Sequence, residues 1–238
     1  MTPLTVGSLF SGIGGFELGL ERTGGFKTVW QCEIDPFCLK VLAKHWPDVK
    51  RFTDIKRMGV DEEIPCVDVI CGGFPCQDIS CAGKGAGIHA ERSGLWWEML
   101  RIVRLVRPRF VLVENVAALL NRGLDEVLGS LAESGYDAEW ACVPAAAIGA
   151  PHFRDRTFII SYPVCQRFEG NKSIAYTRLP RSAIFSRAWC SESPPVRVAN
   201  GVPARMDRLR ALGNAIVPQC AQFVGQCLLD SIRTEATQ

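Results

Sequence analysis

Short apolar runs alternate with amphipathic stretches through the first half of the chain, and this alternation is typical of a parallel sheet covered by helices. The apolar runs predict strands over residues 5–10, 28–32, 67–71 and 110–113. Apolar residues at helical spacing predict the intervening helices over residues 16–23, 37–46 and 95–106. Strands joined by such helices run parallel, with right-handed crossovers. The pattern therefore predicts an α/β fold with a doubly wound sheet.

The second half of the chain continues this pattern and then loses it. Pro108 marks the end of the third helix, because proline does not continue a helix. Further elements are predicted as a helix over residues 124–134 closed by Gly135, strands over 138–143 and 157–161, and helices over 206–212 and 217–232. From residue 162 to 203 the periodicity gives way to Pro, Ser and Arg with isolated aromatics, which predicts a loop-rich surface segment.

The composition narrows the class of protein. Hydrophobic residues make up 47% of the 238 residues and charged residues 22%, as in a globular protein and unlike a disordered, collagen-like or coiled-coil chain. No apolar run reaches the roughly 18 residues that a membrane-spanning helix needs, and the first residues lack the pattern of a signal peptide. We therefore expect a cytoplasmic protein without a membrane partner.

The cysteine and histidine residues predict neither disulfides nor a metal centre. The 11 cysteines are scattered without a regular spacing, which favours reduced thiols. The three histidines, His45, His89 and His152, lie in no cluster that resembles a set of metal ligands.

Charge is unevenly distributed, although the net charge of the chain is only +2. Residues 154–210 hold 11 Lys and Arg against 4 Asp and Glu, whereas the rest of the chain holds 16 against 21. A basic segment on an acidic body favours a polyanion that binds on one side. A solvated, arginine-rich surface is the alternative that the charge pattern alone leaves open.

A glycine-rich turn follows the first predicted strand. Its sequence is Phe10-Ser11-Gly12-Ile13-Gly14-Gly15, and glycines at such a turn let backbone amides approach a ligand at a helix N-terminus. Glu17 occupies the place of the third glycine of a dinucleotide fingerprint, so the match is partial. Glu33 ends the second predicted strand about 20 residues further on, where such folds hold a ribose hydroxyl. These features favour an adenosine-containing cofactor, and a merely tight connection is the alternative.

Three further features place reactive side chains near predicted strand ends. Cys76 follows the third predicted strand, where open α/β sheets bind their ligands, and its thiolate is a candidate nucleophile. Glu114 and Asn115 follow the fourth, and a carboxyl group beside a thiolate tends to hold a proton. Arg154 and Arg156 alternate on an extended segment and would face one side, which suits phosphate or carbonyl oxygens. Their structural alternatives are a buried thiol, a loop-tying pair and a surface salt-bridge ladder.

The order of these features closely resembles that of the DNA (cytosine-5)-methyltransferases, which use S-adenosylmethionine. The resemblance covers residues 5–160 and 205–225. It rests on Leu9-Phe10-Ser11-Gly12-Ile13-Gly14-Gly15, Pro75-Cys76-Gln77, Glu114-Asn115-Val116, Arg154-x-Arg156 and Gly213-Asn214. The family implies a Rossmann-like, S-adenosylmethionine-dependent methyltransferase sheet in a catalytic domain over residues 1–161. It also implies a reduced, loop-rich target-recognition segment over 162–204 and helices over 205–238 that return to the catalytic domain.

The resemblance also implies roles for individual residues. The S-adenosylmethionine site would be lined by Phe10, Gly12, Gly14, Glu33, Asp54, Ile55, Pro75, Leu95 and Asn214. Glu33 would hold the ribose hydroxyls, and Asp54 and Ile55 would flank the adenine. Cys76 would attack carbon-6 of cytosine while Glu114 holds ring N3, and Arg154 and Arg156 would contact the base carbonyl and nearby backbone. Carbon-5 would then take the methyl group, which leaves S-adenosylhomocysteine as the second product.

Double-stranded DNA is the partner that the resemblance implies. The target carbon is inaccessible in a stacked duplex, so the base must be flipped into the pocket. Residues 77–93 resemble the loop that closes over the flipped base. The side chains expected to contact the DNA are Gln77, Ser80, Asn115, Arg178, Arg181 and Arg187.

Two departures from the family pattern bear on specificity. His152 stands where the family usually has Gln, two positions before the first arginine. The interval 162–204 is shorter than the usual target-recognition domain. The sequence thus predicts a compact enzyme of bacterial or phage type. A tRNA cytosine-5 methyltransferase and an inactive nucleic-acid-binding relative are the alternatives.

Overall fold

The computed structural model describes residues 2–75, 94–164 and 204–235. The strands of these residues are β1 (Leu4–Leu9), β2 (Phe26–Cys32), β3 (Lys50–Phe52), β4 (Val69–Gly72), β5 (Phe110–Val116), β6 (Tyr136–Pro144) and β7 (Asp155–Pro163). The helices are α1 (Gly15–Glu21), α2 (Pro36–His45), α3 (Leu95–Val106), α4 (Leu124–Glu133), α5 (Arg205–Asn214) and α6 (Pro218–Glu235). Short 3-10 helices cover Ala117–Asn121 and Ala145–Ile148.

The strands form one sheet in the order β3-β2-β1-β4-β5-β7-β6. β1 to β5 pair in parallel, which confirms the parallel sheet predicted for the first half of the chain. β7 lies between β5 and β6 and is antiparallel to both. β2 and β3 follow β1 on one side of it, and β4 lies on the other side of β1. The direction of winding therefore reverses between β1 and β4.

Most element boundaries follow the hydrophobic pattern closely. The helix predicted over residues 95–106 is α3 itself, and Arg107 ends it in the left-handed conformation with a φ of 53°. The sequence pattern does not predict β3, because a strand of three residues with one buried side chain carries no periodic signal. β7 runs to Pro163, two residues into the segment that the sequence predicts as loop.

Helices cover both faces of the sheet, as in a doubly wound fold. Trp96 of α3 and Val127 of α4 pack into the core on one face. Phe16 of α1 and Val224 of α6 pack into the core on the other. The C-terminal helix therefore completes a layer that the first helix begins.

Within the described ranges, no helix combines the length and the apolar character that crossing a bilayer requires. The seven cysteines in these ranges are all free thiols.

Candidate functional site

The carboxyl ends of β1, β4 and β5 meet where the winding of the sheet reverses. β1 and β4 pair in parallel with Leu9 opposite Gly72, so the turns that follow both strands emerge side by side. β5 continues for three residues beyond its pairing with β4, which brings Glu114 and Asn115 to the same edge. Open α/β sheets bind ligands at this kind of edge. We call this region, with the turn after β1, the catalytic edge.

The turn after β1 has a backbone conformation that glycine favours. Gly12 and Gly14 have φ values of 56° and 86°, and Phe10 has a φ of 55°. A Cβ atom at Gly12 would meet no atom within 4 Å, whereas one at Gly14 would contact the indole ring of Trp46. Gly12 is therefore needed for its positive φ rather than for space. The open volume beside it leaves room for a ligand to approach the backbone.

The carboxylate of Glu33 joins this turn to the end of β2. Its Oε2 accepts the N–H of Gly12 at 2.7 Å, and its Oε1 accepts the N–H groups of Ile34 and Asp35 at 2.9 and 2.8 Å. A carboxylate offers about four acceptor positions, so these three bonds leave it able to accept a hydroxyl group. The open turn and this remaining acceptor fit the ribose of an adenosine-containing cofactor.

The segment after β3 is anchored to helix α3. Arg101 donates from its guanidinium group to the carbonyl oxygens of Ile55 and Met58 at 2.7 and 2.8 Å. The side chain of Ile55 is buried in the core, whereas Asp54 beside it is half-buried. This anchoring role of Arg101 is not visible in the sequence, because Ile55 and Met58 lie more than 40 residues away from it along the chain.

The remaining residues predicted to line a cofactor site lie around the catalytic edge. Phe10 and Leu95 are partly buried and pack against the same hydrophobic core. Pro75 is the last described residue after β4, and Asn214 ends α5 with an exposed side chain.

The residues that lead to Cys76 contact the end of β5. A Cβ atom at Gly73 would lie 2.7 Å from Oε2 of Glu114, so a larger residue there would displace that carboxyl group. The side-chain amide of Asn115 donates to the carbonyl oxygen of Phe74 at 3.4 Å. Gly73 and Phe74 thus pack against Glu114 and Asn115.

Glu114 and Arg156 form a buried ion pair across β5 and β7. Nε of Arg156 lies 2.9 Å from Oε1 of Glu114, and the two side chains are 19% and 10% exposed. Arg156 is paired with Val116 in the antiparallel register, which makes Glu114 its diagonal neighbour on the same face. Burial raises the pKa of Glu114 to about 7, while Arg156 and then Arg154 act to lower it. This carboxyl group therefore carries a proton in a large fraction of molecules near neutral pH.

Arg154 joins the start of β7 to the turn between α5 and α6. Its Nη2 donates to the carbonyl oxygens of Gly213 and Ala215 at 2.9 and 2.8 Å. Because it also lowers the pKa of Glu114, its positive charge lies near the same carboxyl group as Arg156. Both arginines thus act on the catalytic edge, and Arg154 in addition fixes the turn that carries Asn214.

Several predicted site residues lie outside the described residues. They are Cys76, Gln77, Ser80, Arg178, Arg181 and Arg187. Their roles stay predictions from the sequence.

A buried carboxyl group beneath the turn is a feature that the sequence analysis did not single out. Glu17 of α1 is fully buried and accepts a hydrogen bond from the side-chain amide of Gln31 at 3.2 Å. In the sequence, Glu17 is marked only by its position, because it stands where a dinucleotide-binding fingerprint has its third glycine.

A surface cavity of about 370 Å³ lies away from the catalytic edge. Its walls come from residues 59–64 and Cys66 in the segment before β4, and from Leu105 and Val106 at the end of α3. These residues lead into the amino ends of β4 and β5, so the cavity is on the opposite edge of the sheet.

Solved structures share this fold. A putative DNA modification methyltransferase encoded within a prophage (E. coli) is 28% identical, with a TM-score of 0.56 over 67% of this chain and 47% of its own. A Spodoptera frugiperda DNMT2 mutant has a TM-score of 0.57 at 19% identity, over 71% of this chain and 53% of its own. The fold is that of the Rossmann-like, S-adenosylmethionine-dependent methyltransferases.

The sequence relatives narrow this class to one family. The family described as C-5 cytosine-specific DNA methylase matches residues 4–182, and the chain belongs to this family. Type II methyltransferase M2.BsuMI of Bacillus subtilis (strain 168) is 37% identical over 183 residues, which are 74% of this chain and 45% of that protein. Type II methyltransferase M1.ScrFI of Lactococcus lactis subsp. cremoris is 36% identical over 158 residues, 65% of this chain and 40% of that protein. The chain thus matches less than half of the length of either relative.

Proposed function

We propose that this protein is a DNA (cytosine-5)-methyltransferase that transfers a methyl group from S-adenosylmethionine to carbon-5 of cytosine within a short DNA motif. The observation that carries the proposal is the buried Glu114–Arg156 pair at the end of β5, which lies against the segment leading to Cys76. Membership of the cytosine-5 methylase family supports the same reaction.

The cofactor site is proposed at the turn after β1. The backbone of Phe10 and Gly12 would face the cofactor, the Glu33 carboxylate would accept its ribose hydroxyls, and Asp54 and Ile55 would lie beside the adenine. The free acceptor capacity of Glu33 and the open space at Gly12 support this placement. Bound S-adenosylmethionine supplies a methyl group as an electrophile, and S-adenosylhomocysteine is released. Pro75, Leu95, Gly14 and Asn214 complete the proposed lining.

The residues of the chain activate the cytosine. The thiolate of Cys76 adds to carbon-6 of the ring and forms a carbon–sulfur bond, while the protonated carboxyl of Glu114 donates a hydrogen bond to ring N3. This bond stabilises the electrons that shift from the carbon-5 to carbon-6 double bond, so that carbon-5 becomes nucleophilic. After methylation, loss of the carbon-5 proton and elimination of the Cys76 thiolate restore the double bond. The raised pKa of Glu114 supports its part, because a carboxylate cannot donate.

Double-stranded DNA is the proposed substrate, and the cytoplasm is the proposed location of this bacterial or phage-encoded enzyme. The target base must leave the stack to reach the catalytic edge. The basic segment of residues 154–210 would contact phosphates, with Arg178, Arg181 and Arg187 within the reduced recognition segment 162–204. Gln77, Ser80 and Asn115 would contact the flipped base or its strand. The Type II relatives favour a role in modification beside a restriction enzyme.

Methylation of cellular DNA tests the proposal directly. The protein and its Cys76→Ala variant are expressed in cells that lack other cytosine methylation, and the DNA is analysed by bisulfite sequencing. We expect methylation confined to one short motif for the wild type and none for the variant. The proposal is wrong if purified protein binds S-adenosylhomocysteine but transfers no methyl group to any cytosine-containing DNA. Total tRNA from the same cells serves as a second acceptor.

A covalent trap tests the roles of Cys76 and Glu114. DNA that contains 5-fluorocytosine in the methylated motif has no carbon-5 proton to lose, so elimination of the thiolate is blocked. We expect a complex stable to denaturing gels with the wild type and S-adenosylmethionine, none with Cys76→Ala, and a much slower one with Glu114→Gln. An adduct that forms equally well with Cys76→Ala would exclude this nucleophile. Absence of any adduct with the wild type would favour an inactive relative.

A further inference from the structure

Glu17 lies beneath the glycine turn, at the centre of a buried polar cluster. Its side chain is completely buried. Gln31 of β2 donates to its Oε1, and the hydroxyl groups of Ser8 and Ser11 and the thiol of Cys71 lie nearby. Among the residues that the structure describes, no arginine, lysine or histidine forms an ion pair with Glu17. No cation among these residues therefore pairs with the buried carboxyl group of Glu17.

Two acceptor atoms of this cluster lack donors. Within the described residues, Oε2 of Glu17 and Oε1 of Gln31 are buried and have no hydrogen-bond partner. If Glu17 were ionised, its Oε2 and the Oε1 of Gln31 would both be buried acceptors without a donor, which is strongly unfavourable. A proton on Oε2 turns that atom into a donor. Oε1 of Gln31 is then the acceptor for this proton, and it belongs to the same amide group that already donates to Oε1 of Glu17.

A carboxylic acid and a primary amide are complementary in this way. The amide N–H donates to the carbonyl oxygen of the acid, and the acid O–H donates to the carbonyl oxygen of the amide. Burial also raises the pKa of Glu17, and the nearby hydroxyl groups offset this only in part. The pKa of Cys71 is raised well above its usual value, so that thiol adds no positive or negative charge.

The cluster connects the two chain segments that border the proposed cofactor site. Ser11 donates from its hydroxyl group to Oγ and to the carbonyl oxygen of Ser8 at 3.0 and 3.3 Å. The backbone N–H of Ser11 donates to the carbonyl oxygen of Cys32 at 3.1 Å. Ser11 immediately precedes Gly12, and Gln31 lies two residues before Glu33. The cluster therefore borders both partners of the Gly12–Glu33 hydrogen bond.

We propose that Glu17 is a neutral positioning residue, whose protonated carboxyl pairs with the Gln31 amide and holds the Ser8–Gly12 backbone and Glu33 in place for the cofactor. This inference rests on the proposed function for the identity of the ligand. The protonated acid–amide pair stands on the structure alone, and the two parts are tested separately.

The protonation state is measured in the full-length protein by carbon-13 NMR of labelled glutamate side chains. The signal of Glu17 is assigned by its loss in Glu17→Gln, and that of Glu114 by its loss in Glu114→Gln. We expect the Glu17 signal to stay at the position of a protonated carboxyl from pH 5.5 to 8.5, while Glu114 titrates within that range. A Glu17 signal at the carboxylate position at pH 7 would overturn the proposal.

The positioning role is measured by calorimetric titration with S-adenosylhomocysteine. Glu17→Gln replaces the acid with an amide that can make both hydrogen bonds, so we expect a dissociation constant within about threefold of the wild type. Glu17→Leu leaves the Gln31 amide and both serines without the carboxyl group, and we expect binding weakened about tenfold or more, as for the loss of one or two hydrogen bonds. Circular dichroism checks that each variant is folded.

Other outcomes of the titration are decisive as well. If Glu17→Leu does not fold, Gln31→Leu removes the other half of the pair and carries the same expectation. Equal weakening by Glu17→Gln and Glu17→Leu, or wild-type binding by both, would overturn the positioning role. If the wild type itself does not bind S-adenosylhomocysteine, the proposed function and the cofactor part of this inference are wrong, whereas the NMR titration still decides the acid–amide pair.

Discussion

The protonation of the Glu114 carboxyl group is governed by its surroundings. The carboxyl group is buried at the end of β5, and burial outweighs the two arginines that favour its ionised form. Exposed glutamates titrate about 2.5 pH units lower than the value of about 7 that this one has. The fold thus keeps a proton at the catalytic edge, and folding is stabilised at low pH relative to high pH.

The stability of the protein should show this linkage. A folded-state pKa above the unfolded value contributes stability that is complete below about pH 4.5 and is lost as the pH rises through about 7. We expect the free energy of unfolding of the wild type to fall, relative to Glu114→Gln, by about 2 kcal/mol between pH 5.5 and 8.5. Urea titrations of both proteins at the two pH values measure this. A difference that does not change with pH would contradict the raised pKa.

Arg154 shows how a residue expected to contact substrate can also hold the fold together. Lysine keeps the charge, but its side chain is one bond shorter than the path to Nη2, so its ammonium group does not reach the carbonyl oxygens of Gly213 and Ala215 from the same backbone position. We expect Arg154→Lys to lower the free energy of unfolding by about 1–3 kcal/mol. In the matched control Arg57→Lys, the altered ion pair with Asp61 is exposed, so we expect no measurable change in the free energy of unfolding. Equal effects of the two substitutions would show that the turn is held by other contacts.

At the scale of elements, the contact between α1 and α6 depends on a glycine. A Cβ atom at Gly19 would contact the carbonyl oxygen of Pro218 and would lie 2.6 Å from Cβ of Ala221. Backbone atoms of a packed helix cannot move aside as the end of a side chain can. We therefore expect Gly19→Ala to lower the free energy of unfolding by about 1–3 kcal/mol, measured by urea denaturation.

Gly129 of α4 is the matched control for this substitution. It also lies inside a helix, but a Cβ atom there would meet no atom within 4 Å. Alanine is the better helix former, so Gly129→Ala is expected to raise the free energy of unfolding by about 0.5–1 kcal/mol. Effects of the same sign at both positions would mean that close packing does not decide the outcome at Gly19.

The elements differ in how far the sequence could predict them. β1, α3 and the glycine turn were predictable, because each is a continuous stretch whose periodicity or residue type is visible locally. β3 was not predictable, since its three residues gain their strand conformation from pairing with β2. The site follows the same division. The strand-end positions of Glu114 and Arg156 are visible in the sequence, whereas the bonds of Arg154 to a turn about 60 residues away are not.

At the scale of the molecule, the catalytic edge depends on both ends of the chain. The turn after β1 and the ends of β4 and β5 come from residues 10–116, and the α5–α6 turn reaches them only because α6 packs beside α1. A further contact ties α5 to α2, where Arg210 lies 2.6 Å from Asp35. Asp35 follows Glu33 by two residues, so the C-terminal helices support the proposed cofactor side of the edge as well as its catalytic side.

The distribution of charge over the whole molecule leads to a prediction about DNA binding. A protein that neutralises Z phosphates releases counterions, and the logarithm of its association constant falls with the logarithm of the salt concentration with a slope of about −0.9 Z. The basic character lies within residues 154–210, so phosphate contacts from Arg178, Arg181 and Arg187 should account for much of this slope. We expect the triple substitution of these arginines by Gln to make the slope shallower by up to about 3.

The slope is measured by fluorescence anisotropy with one unmethylated duplex, at salt concentrations from about 50 to about 200 mM. Arg57→Gln is the control, because Arg57 lies outside the basic segment and pairs with Asp61. The control should leave the slope unchanged. Parallel lines for the wild type and the triple variant would show that these arginines do not contact phosphates. If affinity then falls only on the methylated motif and not on unrelated DNA, the same side chains contact bases and supply the specificity of the short recognition segment.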